Sequence, residues 1–135
     1  MNKKRILSIV SLLLALAIYQ NARAAIDLVS FTAKQQGRSI LIEWETATEF
    51  DVAGFVIARN TNPTLIYEDV SDFIPAEGSG VIGANYQFLD DNVSEDVLYY
   101  YLLRVINTDQ SEEQFGPILM MITLKDVFIP LIVTP

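Results

Sequence analysis

Residues 39–45 read SILIEWE, and this alternation of apolar and polar side chains decides the class of fold. Successive side chains of a β-strand point to opposite faces, so Ile40, Ile42 and Trp44 share one face and the two glutamates share the other. A tryptophan on the apolar face can bury on the order of 150–250 Å² and anchor a core. The stretch therefore predicts a strand that is buried on one side and solvated on the other.

The same period of two recurs along the chain beyond residue 25, and no stretch has the 3.6-residue period of an amphipathic helix. It predicts further strands at residues 26–33, 54–60, 85–89, 97–107 and 114–124, short edge strands within 67–74, and a longer connection at 46–53. About seven strands separated by polar turns are typical of a sandwich. The sequence thus predicts an all-β protein, a single antiparallel β-sandwich.

The N-terminus has the three parts of a secretory signal peptide. A basic head at residues 3–5 precedes an apolar run at 6–19, and Ala22-Arg23-Ala24 supplies the small residues that signal peptidase recognises. The apolar run is shorter than the roughly 20 residues that span a bilayer as a helix. We expect cleavage after Ala24, a secreted or cell-surface protein, and no membrane span afterwards. An uncleaved N-terminal anchor is the alternative.

The charge balance argues against two classes of partner. The chain has nine basic and seventeen acidic residues, and four of the basic ones lie in the expected signal peptide. The 111 residues left after cleavage would have a net charge of five minus seventeen, or −12. Nucleic acids and anionic membranes repel a chain of that charge. We therefore expect neither as a partner.

The sequence contains no cysteine, so a domain of this size must be stabilised by packing and hydrogen bonds. Small secreted eukaryotic domains usually rely on disulfides. A bacterial or archaeal exported module fits the composition better.

Two motifs follow each other in the chain: IEWETATE at residues 42–49 and GFVIAR at residues 54–59. The three consecutive tyrosines at 99–101 and a late Gly116-Pro117 complete the pattern. Together they resemble fibronectin type III-like modules of bacterial secreted and surface proteins, over roughly residues 27–124. The resemblance implies a fibronectin type III-like sandwich.

The resemblance also implies structural roles for four residues. Trp44 is the core aromatic, and Tyr99, six residues after Val93, has the spacing of a tyrosine corner, in which the hydroxyl bonds to backbone in the preceding turn. Glu49 is expected to fix the loop after Trp44 by accepting hydrogen bonds from backbone or from Arg59. The long strand is expected to point four residues inward: Tyr99, Tyr101, Leu103 and Val105.

Two positions depart from the family pattern. Leu102 stands where bacterial members often have arginine, which puts in doubt any ion pair made there. Gln110 stands where the hairpin turn usually has glycine, so we expect Asn107 or Asp109 to take the left-handed conformation.

Catalysis has few residues to use. The sequence has no histidine and no cysteine, so Ser-His, Cys-His and zinc arrangements are absent. Residues 78–80 read GSG but lack the lysine and the strand–helix context of a phosphate loop. Glu43 and Glu45 alternate on the solvent face of a strand, where we interpret them as solvating residues rather than a glycosidase pair. We expect no enzyme and no cofactor.

Two acidic clusters, at residues 68–72 and 90–96, fall in predicted loops. Calcium takes six to eight oxygen ligands, often from loop carboxylates. Neither cluster has the spacing of a recognised calcium loop, so we interpret both as solvated turn residues and expect no metal. A calcium-dependent glycan-binding module is the alternative.

Residues 127–135 form an almost wholly apolar tail that is too short to span a bilayer. We expect the tail to fold back over the sandwich as an extra edge segment, and the alternative is a contact site for an export, anchoring or assembly partner. In that second case its large side chains are the candidate contacts: Phe128, Ile129, Leu131 and Ile132. The expected domains are the signal peptide at 1–24, the sandwich at 25–126 and this tail. We expect a non-enzymatic module that contacts an unknown protein or envelope component. The alternative is a carrier or sorting domain whose tail engages secretion or anchoring machinery.

Overall fold

The alternating residues lie in eight strands over residues 25–124, which are the residues that this computed structural model describes. The strands are β1 (Ala25–Gln36), β2 (Ser39–Phe50), β3 (Val52–Asn60), β4 (Glu68–Asp69), β5 (Ile74–Pro75), β6 (Asn85–Asp90), β7 (Leu98–Asn107) and β8 (Glu112–Met121). The predicted signal peptide at 1–24 and the predicted tail at 127–135 lie outside the described residues. In the described part of the chain, no helix is long and apolar enough to cross a membrane.

The strands form two antiparallel sheets, which confirms the predicted sandwich. The first sheet has the order β1-β2-β6, and the second has the order β4-β3-β7-β8, with β5 also paired to β3. Gly54, the glycine of the second motif, allows this last pairing, because a Cβ there would lie 2.4 Å from the Ile74 carbonyl oxygen. β1 and β8 are edge strands of their sheets.

The core lies between the sheets and is built around Trp44, of which 1% is exposed. Its ring stacks on Tyr86 at 5.1 Å between centroids and meets the edge of Phe55 at 5.6 Å. The four inward residues predicted for the long strand are all buried: Tyr99, Tyr101, Leu103 and Val105. Aromatic side chains of both sheets thus fill the centre of the sandwich.

The predicted connection at 46–53 is wrong, because β2 continues to Phe50 and pairs with an equally long β1. The chain reverses at Asp51, whose φ is 56°. Alternation is hidden there because two of the buried residues, Thr46 and Glu49, are polar. It is also interrupted, because the pairing with β1 shifts register between Thr46 and Thr48. A pattern of apolar residues cannot reveal a strand whose inner positions are polar.

The turn between β7 and β8 also differs from the prediction. Gln110 itself takes the left-handed conformation, with φ at 69°, whereas Asn107 and Asp109 do not. Its backbone amide donates to the Asn107 carbonyl at 3.0 Å, which closes the turn. Gln110 therefore takes the backbone conformation that glycine adopts most readily, although it has a side chain.

Candidate functional site

A buried carboxylate, Glu49, joins the end of β2 to the loop that precedes β6. Its Oε1 accepts hydrogen bonds from Thr46 Oγ1 at 2.5 Å and from the Tyr86 hydroxyl at 2.7 Å, and its Oε2 accepts one from the Gly78 amide at 2.7 Å. Burial, together with the bond to Glu49, raises the pKa of Tyr86 to about 12. Of the two partners predicted for Glu49, the structure has the backbone amide, and Arg59 lies elsewhere.

Arg59 pairs with Asp90, which corrects the predicted contact with Glu49. The Arg59 guanidinium donates to Asp90 Oδ2 at 2.5 Å, and the Tyr101 hydroxyl donates to the same oxygen at 2.9 Å. Burial lowers the pKa of Arg59, but the bond to Asp90 and the charge of Asp90 outweigh it and raise the pKa overall. Since β6 belongs to the first sheet and β3 and β7 to the second, these bonds join the two sheets.

Tyr99 lies beside this ion pair. Its hydroxyl accepts a hydrogen bond from the Ser94 amide at 2.9 Å, which is the backbone contact that the resemblance implied. The guanidinium carbon of Arg59 lies 4.9 Å from the centroid of the Tyr99 ring, within the range of a cation–π contact. One tyrosine thus fixes both the turn before β7 and the arginine that meets Asp90.

The two acidic clusters border one cavity of about 410 Å³, to which they contribute Glu68, Asp69, Asp90 and Asp91. Asp90 is not the solvated turn residue that the sequence predicted, since only 3% of it is exposed. Its Oδ1 accepts a hydrogen bond from the Asn92 amide at 3.2 Å, so both of its oxygens are engaged. Over residues 25–124, no three carboxylates assemble into a group that could hold a metal ion.

The outer face of the first sheet is mostly polar, and its two apolar side chains, Leu41 and Leu89, lie opposite each other with Leu41 buried and Leu89 44% exposed. Lys34 and Glu43 form an ion pair across β1 and β2 at 2.7 Å. Thr32, Glu45 and Gln87 are exposed beside them. Most side chains on this face can therefore form hydrogen bonds with water.

The outer face of the second sheet is apolar along β7 and β8. Five side chains point away from the core there and form what we call the outer apolar face: Leu98, Tyr100, Leu102, Leu119 and Met121. Leu98 lies opposite Met121, and Tyr100 lies opposite Leu119. Leu119 is 53% exposed, and Leu98 and Met121 are each 40% exposed. The cross-strand pairs make this a continuous patch rather than scattered residues.

A groove extends the outer apolar face towards β4. Apolar side chains form most of its lining: Pro63, Leu65, Ile66, Tyr67, Leu102 and Pro117. The groove encloses about 550 Å³, which is within the range of ligand-binding clefts. Arg104 lies at the groove and forms ion pairs with Asp69 of β4 and Glu112 of β8, so it ties both strands to β7.

Glu49 and Asp90 are the two buried carboxylates among residues 25–124; each is 3% exposed and has donors on both oxygens, so neither faces solvent as a free acid or base. The outer apolar face instead combines exposed aliphatic side chains, a tyrosine and a rim that includes Arg104, which is the composition found at protein interfaces.

Sequence reasoning assigned no role to the outer apolar face, although the sequence carries a signal for it. The run LYYYLLRVI at residues 98–106 is nearly all apolar, whereas a strand with one solvated face alternates. A continuous run of this kind indicates a strand that is covered, or is able to be covered, on both faces.

No protein-family profile matches the chain, and no curated protein matches it. Among solved structures, it is similar to a Fn3-like protein from Clostridium thermocellum, with 13% identity, a TM-score of 0.51, and coverage of 76% of this chain and 97% of that one. It is also similar to OgpA from Akkermansia muciniphila, with 13% identity and a TM-score of 0.51, over 70% of this chain and 27% of that one. These likenesses show that the chain has a fibronectin type III-like fold.

Proposed function

We propose that this chain is a non-catalytic, exported module that binds a protein or an envelope component through the outer apolar face. The observation that carries the proposal is the difference between the two outer faces of one sandwich. The first sheet presents an ion pair and mostly polar side chains to water, with Leu89 exposed among them, whereas the second groups Leu98, Leu119 and Met121 in one patch. Contiguous exposed apolar patches of this kind mark interaction sites.

The rim of the patch supports a protein-like partner. Tyrosine and arginine are enriched where binding energy concentrates, and the patch has Tyr100 at its centre and Arg104 at its polar side. Arg104 is held in place by Asp69 and Glu112, so a partner would meet a preorganised surface.

Three further observations support the remaining parts of the proposal. The absence of histidine and cysteine removes the usual nucleophile–base pairs, which favours a role without catalysis. The basic head, short apolar run and Ala22-Arg23-Ala24 favour export. The fold matches almost all of the Clostridium thermocellum protein and about a quarter of OgpA. A fold that occurs both alone and as part of a larger chain is typical of a module.

The test places a photoreactive phenylalanine analogue at Leu119 and, in a matched protein, at Thr32 on the polar face. Both positions are exposed and lie on strands, so the probe should disturb neither fold. After irradiation of exporting cells, we expect a defined adduct from position 119 and none from position 32. The adduct should disappear when Met121→Arg is added, because a charge on the patch opposes apolar contact.

Equal adducts from both positions, or none from either while both proteins are exported and folded, would contradict the proposed surface. Material that keeps residues 1–24 and stays inside the cell would contradict the proposed compartment. N-terminal sequencing of the recovered protein separates these two outcomes.

A further inference from the structure

The turn between β6 and β7 contains the sequence Asn92-Val93-Ser94. An asparagine followed two residues later by serine or threonine, with any residue except proline between them, is the acceptor motif for N-linked glycosylation. In an exported protein this motif indicates an asparagine on a surface loop. No other asparagine in the sequence meets every part of the motif.

The structure places both polar side chains of the motif in water. Asn92 and Ser94 are exposed, whereas Val93 is partly buried and packs against the hydrophobic core. A glycan is bulky and polar, so the asparagine that carries it must face water after the chain folds. The turn meets this requirement, because Val93 anchors the motif to the sandwich and its two neighbours stay outside.

Other groups hold the backbone of this turn. Arg59 donates a hydrogen bond to the Asn92 carbonyl at 2.9 Å, and the Asn92 backbone amide donates to Asp90 Oδ1 at 3.2 Å. The Ser94 backbone amide donates to the Tyr99 hydroxyl at 2.9 Å. Within residues 25–124, no hydrogen bond involves the Asn92 side-chain amide or the Ser94 hydroxyl. Both side chains are therefore free to be recognised and modified.

The fold does not require asparagine at position 92. Asparagine is common in turns because its side chain bonds to nearby backbone and because it tolerates the left-handed conformation. In the described chain, the Asn92 side chain forms no such bond, and its φ is not positive. What asparagine adds at this position is its free side-chain amide.

Asn62 provides a contrast within the same chain. Residues 62–64 read Asn-Pro-Thr, which has the spacing of the motif but has proline at the position where proline is not allowed. Asn62 is also exposed, but its Oδ1 accepts hydrogen bonds from the Thr64 amide at 3.0 Å and from the Thr64 hydroxyl at 2.8 Å. Asn62 thus has the ordinary structural role of a turn asparagine, and Asn92 does not.

We propose that Asn92 carries an N-linked glycan, transferred from an oligosaccharide that is joined through phosphate to a lipid. The Nδ2 atom of Asn92 forms a bond to the anomeric carbon of the first sugar and gives up a proton to a base of the transferase. The bond from that carbon to the phosphate oxygen breaks, and the lipid phosphate leaves. The proposal depends on the proposed export but not on the outer apolar face.

The surroundings of Asn92 suit a sugar. Asn92 lines the cavity of about 410 Å³ that the two acidic clusters border, together with the exposed residues Glu68 and Asp91. Sugar hydroxyls donate hydrogen bonds, and carboxylate oxygens accept them. The first sugar on Nδ2 therefore has polar partners at the mouth of this cavity.

The test is mass spectrometry of the protein isolated from the culture fluid or envelope of the cells that produce it naturally. A digest at acidic residues places Asn62 and Asn92 in different peptides, because residues 68, 69 and 72 lie between them. We expect a mass increment of sugar residues on Asn92 in most molecules and an unmodified Asn62 in the same sample.

Two changes at Ser94 provide matched variants that leave the acceptor asparagine in place. Ser94→Ala should abolish the increment on Asn92, and Ser94→Thr should retain it, because threonine keeps the hydroxyl that the motif requires. Ser94→Ala should fold as the wild type does, because the Tyr99 hydroxyl accepts from the backbone amide of residue 94 and not from its side chain.

The same spectra separate this proposal from the proposed export. An unmodified Asn92 in protein that begins at residue 25 would overturn the glycosylation site and retain the export. An unmodified Asn92 in protein that keeps residues 1–24 would reject both. Equal increments on Asn62 and Asn92, or an increment that survives Ser94→Ala, would show that the modification does not follow the motif and would also overturn the proposal.

Discussion

Glu49 and Asp90 are buried to the same degree, with 3% of each residue exposed, yet different groups stabilise the two carboxylates. Glu49 accepts hydrogen bonds from two hydroxyls and a backbone amide, all within the first sheet and its connecting loop. Asp90 accepts from a guanidinium of the second sheet as well as from Tyr101 and the Asn92 amide. One site relies on neutral dipoles, and the other relies on a cation from across the sandwich.

The difference shows that the two sites stabilise different parts of the structure. The Glu49 site fixes a loop onto the strands that carry it, so its loss should loosen the region before β6. The Asp90 site clamps one sheet onto the other, so its loss should affect the whole domain. The charge pair should also be the more costly to break, because removal of one member leaves the other buried without compensation.

The largest effect is expected from Asp90→Ala. The change leaves the Arg59 guanidinium and the Tyr101 hydroxyl without their shared acceptor, and we expect the free energy of unfolding to fall by about 3–5 kcal/mol. Asp91→Ala is the matched control, since its side chain is exposed one residue further along, and it should change stability by less than about 0.5 kcal/mol. Urea denaturation of both variants measures the difference.

The comparison sharpens when both charges are removed. Arg59→Met combined with Asp90→Leu should be more stable than Asp90→Ala alone, because no buried charge remains. If the double variant is as unstable as the single one, the sheets are held by the specific hydrogen bonds rather than by the compensated charge.

The second largest effect is expected at the Glu49 site, which alkaline pH should weaken through Tyr86. The pKa of Tyr86 is raised to about 12 in the folded chain, against about 10 in an unfolded one. The folded state then holds this proton more tightly, so its contribution is complete below pH 10 and is lost as the pH rises through about 12. A shift of two pH units corresponds to about 2–3 kcal/mol.

Tyr86→Phe is the control, because it removes the titrating group and keeps the ring that stacks on Trp44. We expect the wild-type unfolding free energy to fall by about 2–3 kcal/mol more than that of Tyr86→Phe between pH 9 and pH 12. Parallel alkaline curves for the two proteins would mean that Tyr86 ionises no differently once the chain has folded.

The sandwich itself was within reach of sequence reasoning, because alternating residues such as Ile40, Ile42 and Trp44 report one buried face directly. The same rule failed at residues 46–50, where the buried positions are Thr46 and Glu49 and a strand was mistaken for a connection. Apolar periodicity detects strands only where the inner face is apolar.

The partner of each buried charge could not be predicted. Arg59 and Glu49 are ten residues apart in two successive motifs, whereas Arg59 and Asp90 are 31 apart and meet across the sandwich, because β3 belongs to the second sheet and β6 to the first. Asp90 also stood in an Asp-Asp-Asn run that is typical of a solvated turn. The run predicts exposed side chains, which is correct for Asp91 and wrong for Asp90. Asp90 is buried because it ends β6 and faces the second sheet, and the composition of the run does not contain that information.

Glu49→Gln should cost about 2 kcal/mol, less than the loss of Asp90. A glutamine keeps the size of the side chain but offers one acceptor oxygen, and its amide group faces donors instead of accepting from them. Glu45→Gln, exposed on the outer face of the same strand, should be close to neutral. Amide exchange should quicken first in residues 76–84, and global quickening in both sheets would contradict the local role.

The smallest effect is expected from Tyr99→Phe, and it separates the two functions of that side chain. Phenylalanine keeps the ring below the Arg59 guanidinium and loses only the hydroxyl that accepts from the Ser94 amide. We expect a loss of about 1 kcal/mol, the usual net value of one hydrogen bond. The loss should add to that of Glu49→Gln within about 0.5 kcal/mol, because the two sites share no partner. Strong coupling between them in a double-mutant cycle would instead mean that the Glu49 site and the Asp90 site act as one network. The first would then not act on its loop alone, separately from the bonds that join the two sheets.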